Sequence, residues 1–184
     1  MIPGILARRY ARALIELADG PRKRDVFGQN LAAVVAATKV DDGRGSSLAT
    51  ILETERYPAS QRRAVLDTVC KRLRIDPTVV KFLDYVFDRG RIGGLAQMSR
   101  FYDQMVDEMA NRVHAEVRSA RPLNQNSLGR IKQSLEQATH KTVLLDSSVD
   151  PSLIGGLVTK IGSTVIDGSV KKSLETMRAA LRGD

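Results

Sequence analysis

The sequence predicts a mainly α-helical protein with a small α/β part: an N-terminal six-helix bundle followed by a small C-terminal α/β domain. Through the first 111 residues apolar side chains recur every three to four positions, which is the period of an amphipathic helix. Beyond residue 112 the period changes to two, as in a half-buried strand. Of the 184 residues, 42% are hydrophobic, which is enough for a core, but no apolar run approaches the roughly 18–20 residues of a membrane span.

The first predicted helix carries one long apolar stripe and ends at Asp19-Gly20-Pro21, a sequence that does not continue a helix. Small residues at positions 7, 11 and 18 form a second surface beside the stripe. The stripe itself consists of Ile2, Ile5, Leu6, Tyr10, Ala13, Leu14 and Leu17.

Helices two to four are separated by polar and glycine-rich segments. The second helix is predicted over Arg22–Lys39, and the composition of residues 41–47 indicates a loop. A short helix follows over Leu48–Thr54. Ser60 is expected to cap the fourth helix, and Cys70 lies on its apolar face.

The fifth helix is unusually apolar. Asp76 is a plausible N-cap, and Pro77 suits the first helical position. Phe82 and Phe87 point about 140° apart around the helix axis. A helix with two apolar faces is either central in a core or packed on a partner, and the pattern alone leaves both open. The sixth helix is predicted from the stripe Leu95, Met98, Tyr102, Met105 and Met109.

The C-terminal part reads as strands and helices in alternation, with the domain boundary between residues 111 and 112. Alternation at Val113, Ala115 and Val117 predicts the first strand. Further strands are predicted at residues 142–145, 157–161 and 164–166, the last two forming a hairpin, with residues 167–169 as a turn. Asn124 and Ser169 are the expected caps of two helices, with apolar faces at Leu128, Ile131, Leu135 and Ala138 and at Leu174, Met177 and Leu181.

The net charge of +8 raises the possibility of a nucleic-acid partner. The excess is spread evenly, with 18 basic and 14 acidic side chains in residues 1–111 and 11 and 7 in residues 112–184. Aromatic residues make up only 4%, so few rings could stack on bases. A solvated basic surface is the favoured interpretation. A small basic helical protein that binds RNA or ribosomes stays as the alternative.

No arrangement of residues indicates a catalytic, cofactor or metal site. The lone Cys70 has apolar neighbours on its helix and is typical of a core residue rather than a nucleophile. His114 and His140 are too far apart to form a local metal-ligand pair, and Asp150 and Asp167 suit turns better than acid–base chemistry. The glycine-rich segment at 155–163 lacks the spacing of a phosphate-binding loop.

Two segments resemble a known family. The opening Ala7–Leu14 is similar to the first helix of the F-type ATP synthase delta subunit family, whose mitochondrial members are called oligomycin-sensitivity-conferring proteins. The resemblance continues in the same order along essentially the whole chain, including Arg91 after the fifth helix and Val117, Ser119 and Ala120 in the first strand, and is most specific near the C-terminus. There it rests on residues 143–150, Leu153-Ile154-Gly155-Gly156, Ile161-Gly162 and Asp167-Gly168-Ser169.

The resemblance implies a non-catalytic stator subunit of a rotary, proton-translocating ATP synthase. A groove between helices one and five would receive the N-terminal helix of an alpha subunit of the catalytic head. The C-terminal part would hold the b-type subunits of the peripheral stalk. One copy would serve each complex, with no nucleic acid bound. The residues predicted to line the groove that receives the alpha-subunit helix are Leu6, Tyr10, Ala13, Leu14, Phe82, Leu83 and Val86.

The same resemblance implies association with the membrane only through the complex. No targeting peptide is visible at the N-terminus. We therefore expect the cytoplasmic face of a bacterial plasma membrane, with the matrix face of the mitochondrial inner membrane as the alternative.

Overall fold

The computed structural model of the chain describes residues 3–39, 47–54, 56–162 and 164–182. The chain divides into two compact units, residues 1–106 and 107–184. The division falls in the last turn of the sixth helix. Asp107 is the first residue of the second unit, and its carboxylate lies 3.2 Å from Arg112 Nε and 3.0 Å from His114 Nε2, on the strand that follows.

The first unit is helical, as the sequence predicts. A single turn of 3-10 helix, Ile92–Gly94, leads directly into the sixth helix. The helices are α1 (Gly4–Glu16), α2 (Pro21–Thr38), α3 (Leu48–Glu53), α4 (Ala59–Arg72), α5 (Pro77–Asp88) and α6 (Leu95–Met109).

The helix starts show which capping predictions hold. Asp76 accepts a hydrogen bond from the Thr78 backbone N–H at 2.8 Å, so α5 begins as predicted. Helix α2 begins one residue early, at Pro21, whose fixed φ suits the first turn. The predicted cap at Ser60 is wrong: α4 already begins at Ala59, after Pro58. Of the predicted loop 41–47, only Ser47 lies within the described residues.

The core of the first unit draws on α1 to α6. Cys70 is buried, as expected, and the methionine stripe of α6 grades outwards from a buried Met98 to an exposed Met109. The tyrosine in that stripe, Tyr102, is buried and donates a hydrogen bond to the Arg24 carbonyl at 2.9 Å. The largest fully buried side chains of the unit are Tyr102, Phe27, Leu14, Leu31, Leu52, Leu66, Leu83 and Met98.

The second unit is a four-stranded sheet in the order β2-β1-β3-β4 with two helices. Strands β1 and β2 are parallel and are joined through α7, whereas β3 runs antiparallel to both β1 and β4. Ala115, Val117 and Val143 are buried on the sheet. The elements are β1 (Arg112–Ser119), α7 (Gln125–Thr139), β2 (Thr142–Val149), β3 (Gly156–Ile161), β4 (Thr164–Ser169) and α8 (Val170–Arg182).

The strands are longer than the sequence pattern predicts. Strand β2 continues to Val149 because its backbone pairs with β1 as far as Ser119. The side chains of residues 146–149 are nevertheless exposed. The predicted turn at residues 167–169 is wrong, since these residues pair with Gly156, Leu157 and Val158 of β3. The caps are confirmed: Asn124 accepts from Ser127 N at 2.8 Å and Ser169 from Lys172 N at 3.2 Å.

Candidate functional site: an apolar cleft between two helices

An open cleft lies between α1 and α5 in the first unit. It has a volume of about 530 Å³ and is lined by side chains from both helices and by Arg91, just after α5. Apolar and aromatic groups form most of its surface. The lining residues are Leu6, Arg9, Tyr10, Ala13, Leu17, Thr78, Lys81, Phe82, Tyr85 and Arg91.

The cleft follows from the way in which each helix divides its apolar residues. On α1, Ala7, Ala11 and Leu14 are buried in the bundle core. The neighbouring stripe, which includes Leu6 and Leu17, lines the cleft instead. Positions three or four residues apart share a helix face, so each of the two sets forms a continuous surface.

Helix α5 is divided in the same way. Its residues Val79, Leu83 and Val86 are buried in the core. Phe82 and Tyr85, three residues apart, both line the cleft. The helix therefore contributes one apolar face to the bundle and another to the cleft, which explains why it is more apolar than a peripheral helix needs to be.

Tyr10 is the centre of an aromatic cluster on the cleft floor. Its ring centroid lies 6.2 Å from that of Phe82, in an edge-to-face arrangement, and 6.2 Å from that of Tyr85. Arg91 Nη1 donates a hydrogen bond to Tyr10 Oη at 2.6 Å, and its guanidinium carbon lies 5.7 Å from the ring centroid. These contacts tie α1 to the end of α5 and hold the floor in one shape.

Four of the seven predicted groove residues line the cleft: Leu6, Tyr10, Ala13 and Phe82. The structure does not bring the other three, Leu14, Leu83 and Val86, to the cleft surface, because each is 0% exposed. These three residues belong to the buried core of the bundle.

The sequence analysis missed six lining residues. Leu17 belongs to the predicted stripe and is 54% exposed, which is unusual for leucine, and Tyr85 is 51% exposed. The spacing of Tyr85 from Phe82 was an available signal. Arg91 could not be placed from the sequence, because it follows α5 in a turn whose direction is set by tertiary packing. The remaining three are Arg9, Thr78 and Lys81.

A second apolar surface lies on α8 in the other unit. Val170, Leu174 and Met177 are each more than 40% exposed and fall at the spacing of one helix face. Lys171, Lys172 and Arg178 accompany them on the same helix. We call Val170, Leu174 and Met177 the α8 stripe.

Comparison with known proteins decides the family. A model of the ATP synthase delta (OSCP) subunit family matches residues 6–181. The chain belongs to this family. It is 35% identical to the ATP synthase subunit delta of Myxococcus xanthus (strain DK1622) over 184 residues, and 37% identical to that of Anaeromyxobacter sp. (strain Fw109-5) over 183. Each alignment covers 99% of this chain and 99% of the relative.

The fold agrees with that of one chain in a solved ATP synthase structure. A chain in the cryo-EM structure of the Toxoplasma gondii mitochondrial ATP synthase hexamer superposes with a TM-score of 0.68. The match covers 96% of this chain and 97% of that chain. At 20% identity this likeness shows the fold alone.

Membership in the delta (OSCP) family makes the chain a non-catalytic, structural component of the stator of an F-type ATP synthase. The family therefore favours the structural interpretation over the alternative of an RNA-binding protein. The described residues contain no group of three or more possible metal ligands and no helix long and apolar enough to cross a membrane.

The acids singled out in this delta-family chain have structural roles. Asp150 accepts hydrogen bonds from the backbone N–H and the hydroxyl of Ser152, and these lower the pKa of its carboxyl group. The Ser169 hydroxyl and then its backbone N–H, which donates to Asp167 at 2.9 Å, lower the pKa of the Asp167 carboxyl group. Both carboxylates therefore favour their charged form as hydrogen-bond acceptors: Asp150 at a turn, as the sequence predicts, and Asp167 within β4 rather than in the predicted turn.

Proposed function

We propose that this subunit links the catalytic head of a bacterial F-type ATP synthase to its peripheral stalk, with one copy in each complex. The first unit binds the N-terminal helix of an alpha subunit, and the second binds the b-type subunits. The complex places the subunit at the cytoplasmic face of the plasma membrane. The observation that carries this proposal is the open apolar cleft between α1 and α5.

The shape and surface of the cleft suit an amphipathic helix. Its walls are two helices, and its exposed apolar groups, such as Leu17 and Tyr85, lie where a third helix could cover them. Burying apolar area contributes about 25 cal/mol per Å², so covering this surface favours association. Laying an apolar helix face into a hydrophobic groove is a common mode of peptide recognition.

The α8 stripe supports the assignment of the stalk to the second unit. Val170, Leu174 and Met177 expose apolar area along one helix face. A partner helix packed along this face would remove that area from water. The basic side chains of α8 would favour acidic residues on such a partner.

Two separate contacts on one chain suit a stator. Rotation in the head exerts a reaction torque, which the link must resist without releasing either partner. When one contact opens, the other keeps the partners at high effective concentration, so the link closes again before it is lost. This mechanism needs binding surfaces and no chemical step.

The cleft is tested by placing a charge on its exposed surface. The variant Leu17→Glu should weaken capture of the catalytic head at least about tenfold, because it replaces an apolar contact with a charged group whose desolvation under a bound helix costs free energy. Ile5→Glu is the matched control, since Ile5 lies on α1, which Leu17 directly follows, and is 82% exposed but does not line the cleft. Affinity is measured by titrating the full-length variants against purified head.

The expected result is a loss with Leu17→Glu and none with Ile5→Glu, at unchanged thermal stability for both. Equal head binding by the two variants would contradict the assignment of the cleft. Loss of binding in both would mean that a different surface of α1 contacts the head.

A further inference from the structure

The rim of the cleft carries positive charge on both sides. Arg9 on α1 and Lys81 on α5 both line it, as does Arg91 after α5. A fourth cation is close by, because the Arg89 guanidinium carbon lies 5.1 Å from the ring centroid of Tyr85. The lining set contains no Asp or Glu among the described residues.

These cations have no acidic partner among the described residues. Within the described part of the chain, neither Arg9, Lys81 nor Arg91 has a carboxylate within 4.0 Å. Arg91 uses one donor on the Tyr10 hydroxyl. A guanidinium has five N–H donors, so further donors stay available at the cleft.

The acids on the two helices lie outside the cleft lining. On α5, Asp88 pairs with Arg63 of α4. Asp84 has a raised pKa, first because of partial burial and then because of the nearby Asp67, which is also on α4. Beyond α1, Asp19 pairs with Lys23 at 3.6 Å, and Glu16 is exposed but does not line the cleft.

From this charge pattern we propose that the cleft selects an amphipathic helix that has acidic side chains on both sides of its apolar stripe. The inference rests on the proposed function and adds the chemistry of the partner. The apolar floor binds the stripe. Arg9 and Lys81 line the cleft from opposite walls, so each can pair with an acidic side chain on one flank of the bound helix. Like charges on the helix would be repelled, so the rim excludes basic helices of equal hydrophobicity.

Arg91 has two roles in this arrangement. Its hydrogen bond to Tyr10 positions the aromatic floor, and its remaining donors can bind a carboxylate of the occupant. Lysine has no planar fork with which to do both. Arg91→Lys should therefore weaken binding of an acidic helix more than binding of an uncharged one.

The test uses the full-length protein and two synthetic helical peptides with one shared apolar stripe. One peptide has Glu at the flanking positions, and the other has Lys. We expect the Glu peptide to bind at least about tenfold tighter at about 0.05 M salt, since each exposed ion pair strengthens binding by up to about fivefold. The difference should shrink towards 1 M salt, where screening acts within about 3 Å.

The matched variants reverse charge on and off the rim. Arg9→Glu with Lys81→Glu should remove or invert the preference for the Glu peptide. Arg72→Glu with Arg100→Glu is the control, because both residues are exposed on other helices and neither lines the cleft. That control should leave the preference at its original ratio.

Equal affinities for the two peptides, or a preference that the rim variant leaves unchanged, would overturn the selection by charge. The proposed function would survive that result if Leu17→Glu still lost the catalytic head. If Leu17→Glu kept the head while the peptide preference followed the rim charges, the proposed function would fail and the selectivity of the cleft would stand.

Discussion

Neighbouring positions on α1 and α5 have opposite environments. Leu14 is 0% exposed, whereas Ala13, directly before it, lines the cleft. On α5, Val86 is buried and Tyr85, directly before it, is half exposed. A step of one residue turns a helix by about 100°, so adjacent positions face different neighbours. An apolar side chain on these helices therefore either packs in the bundle or remains accessible at the cleft, and a shift of one residue exchanges the two environments.

The burial of Leu14 and the exposure of Leu17, which directly follows α1, predict different stability effects for two substitutions. Leu14→Ala should lower the free energy of unfolding by about 2–5 kcal/mol, because it opens a cavity in a packed core. Leu17→Ala should change it by less than about 0.5 kcal/mol, as is usual for exposed positions. Urea unfolding measures both. Similar losses would show that Leu17 belongs to the core of the bundle.

The buried thiol predicts a fall in stability at alkaline pH. Burial, followed by the nearby Asp84 and Asp67, raises the pKa of Cys70 from 9.0 to about 11. The unfolded chain then releases this proton more readily than the folded chain. The stabilisation is complete below pH 9 and is lost as pH rises towards 11. The urea midpoint should fall across this interval.

Cys70→Ala is the control for the alkaline transition. It should lower stability at neutral pH, through the lost side chain, but give a shallower pH dependence above pH 9. Burial also raises the pKa of Tyr102, so part of the slope above about pH 10 should persist. An unchanged slope in Cys70→Ala would show that the thiol is not responsible.

At the scale of elements, the β3–β4 hairpin depends on a close approach of backbone to backbone. Gly156 has a φ of +85°, and a Cβ there would lie 2.3 Å from the Gly168 carbonyl oxygen and 2.9 Å from Ser169 Cα. Only glycine fits both the conformation and the space. This close contact brings β4 to the point where α8, and with it the α8 stripe, begins.

Glycine substitutions in this unit should therefore have opposite effects. Gly156→Ala should destabilise the second unit by more than about 2 kcal/mol, since rigid backbone would have to move. Gly129→Ala should stabilise it by about 0.5–1 kcal/mol, because Gly129 lies within helix α7 with nothing within 4 Å of a Cβ. Thermal unfolding of the full-length variants gives both values. Tolerance of alanine at position 156 would contradict the hairpin geometry.

At the scale of the whole molecule, the chain consists of a helical unit and an α/β unit, and each carries an exposed apolar surface that could bind a partner. The cleft is built entirely from residues 6–91 and the α8 stripe from residues 170–177. Each surface is therefore formed by residues of a single unit. The two proposed contacts should therefore be separable by cutting the chain.

A fragment of residues 1–111 keeps α6 whole and is expected to fold and to bind the catalytic head. It should lose binding to the b-type stalk subunits, because it lacks the α8 stripe. Circular dichroism checks folding, and pull-down with purified head and with stalk subunits checks binding. Loss of head binding by a folded fragment would contradict an independent cleft, and retained stalk binding would contradict the role of the second unit.

The sequence by itself determined the elements and the family. Periods of 3.6 and two, the caps Asp76 and Asn124, and the motif around Gly155-Gly156 depend on local geometry, which neighbouring residues encode directly. The sequence did not predict the C-terminal ends of β2 and β4, because backbone pairing with a neighbouring strand extends a strand whatever side chains it carries. Residues 41–46 lie outside the described chain.

Only the tertiary structure decided which apolar residues remain at the surface. The sequence marked α1 and α5 as rich in apolar groups but could not separate the buried Leu14, Leu83 and Val86 from the accessible Leu17 and Tyr85. That separation depends on where the other helices pack. The cationic rim also needed the fold, because Arg9, Lys81 and Arg91 are distant in sequence and meet only when α1 lies beside α5.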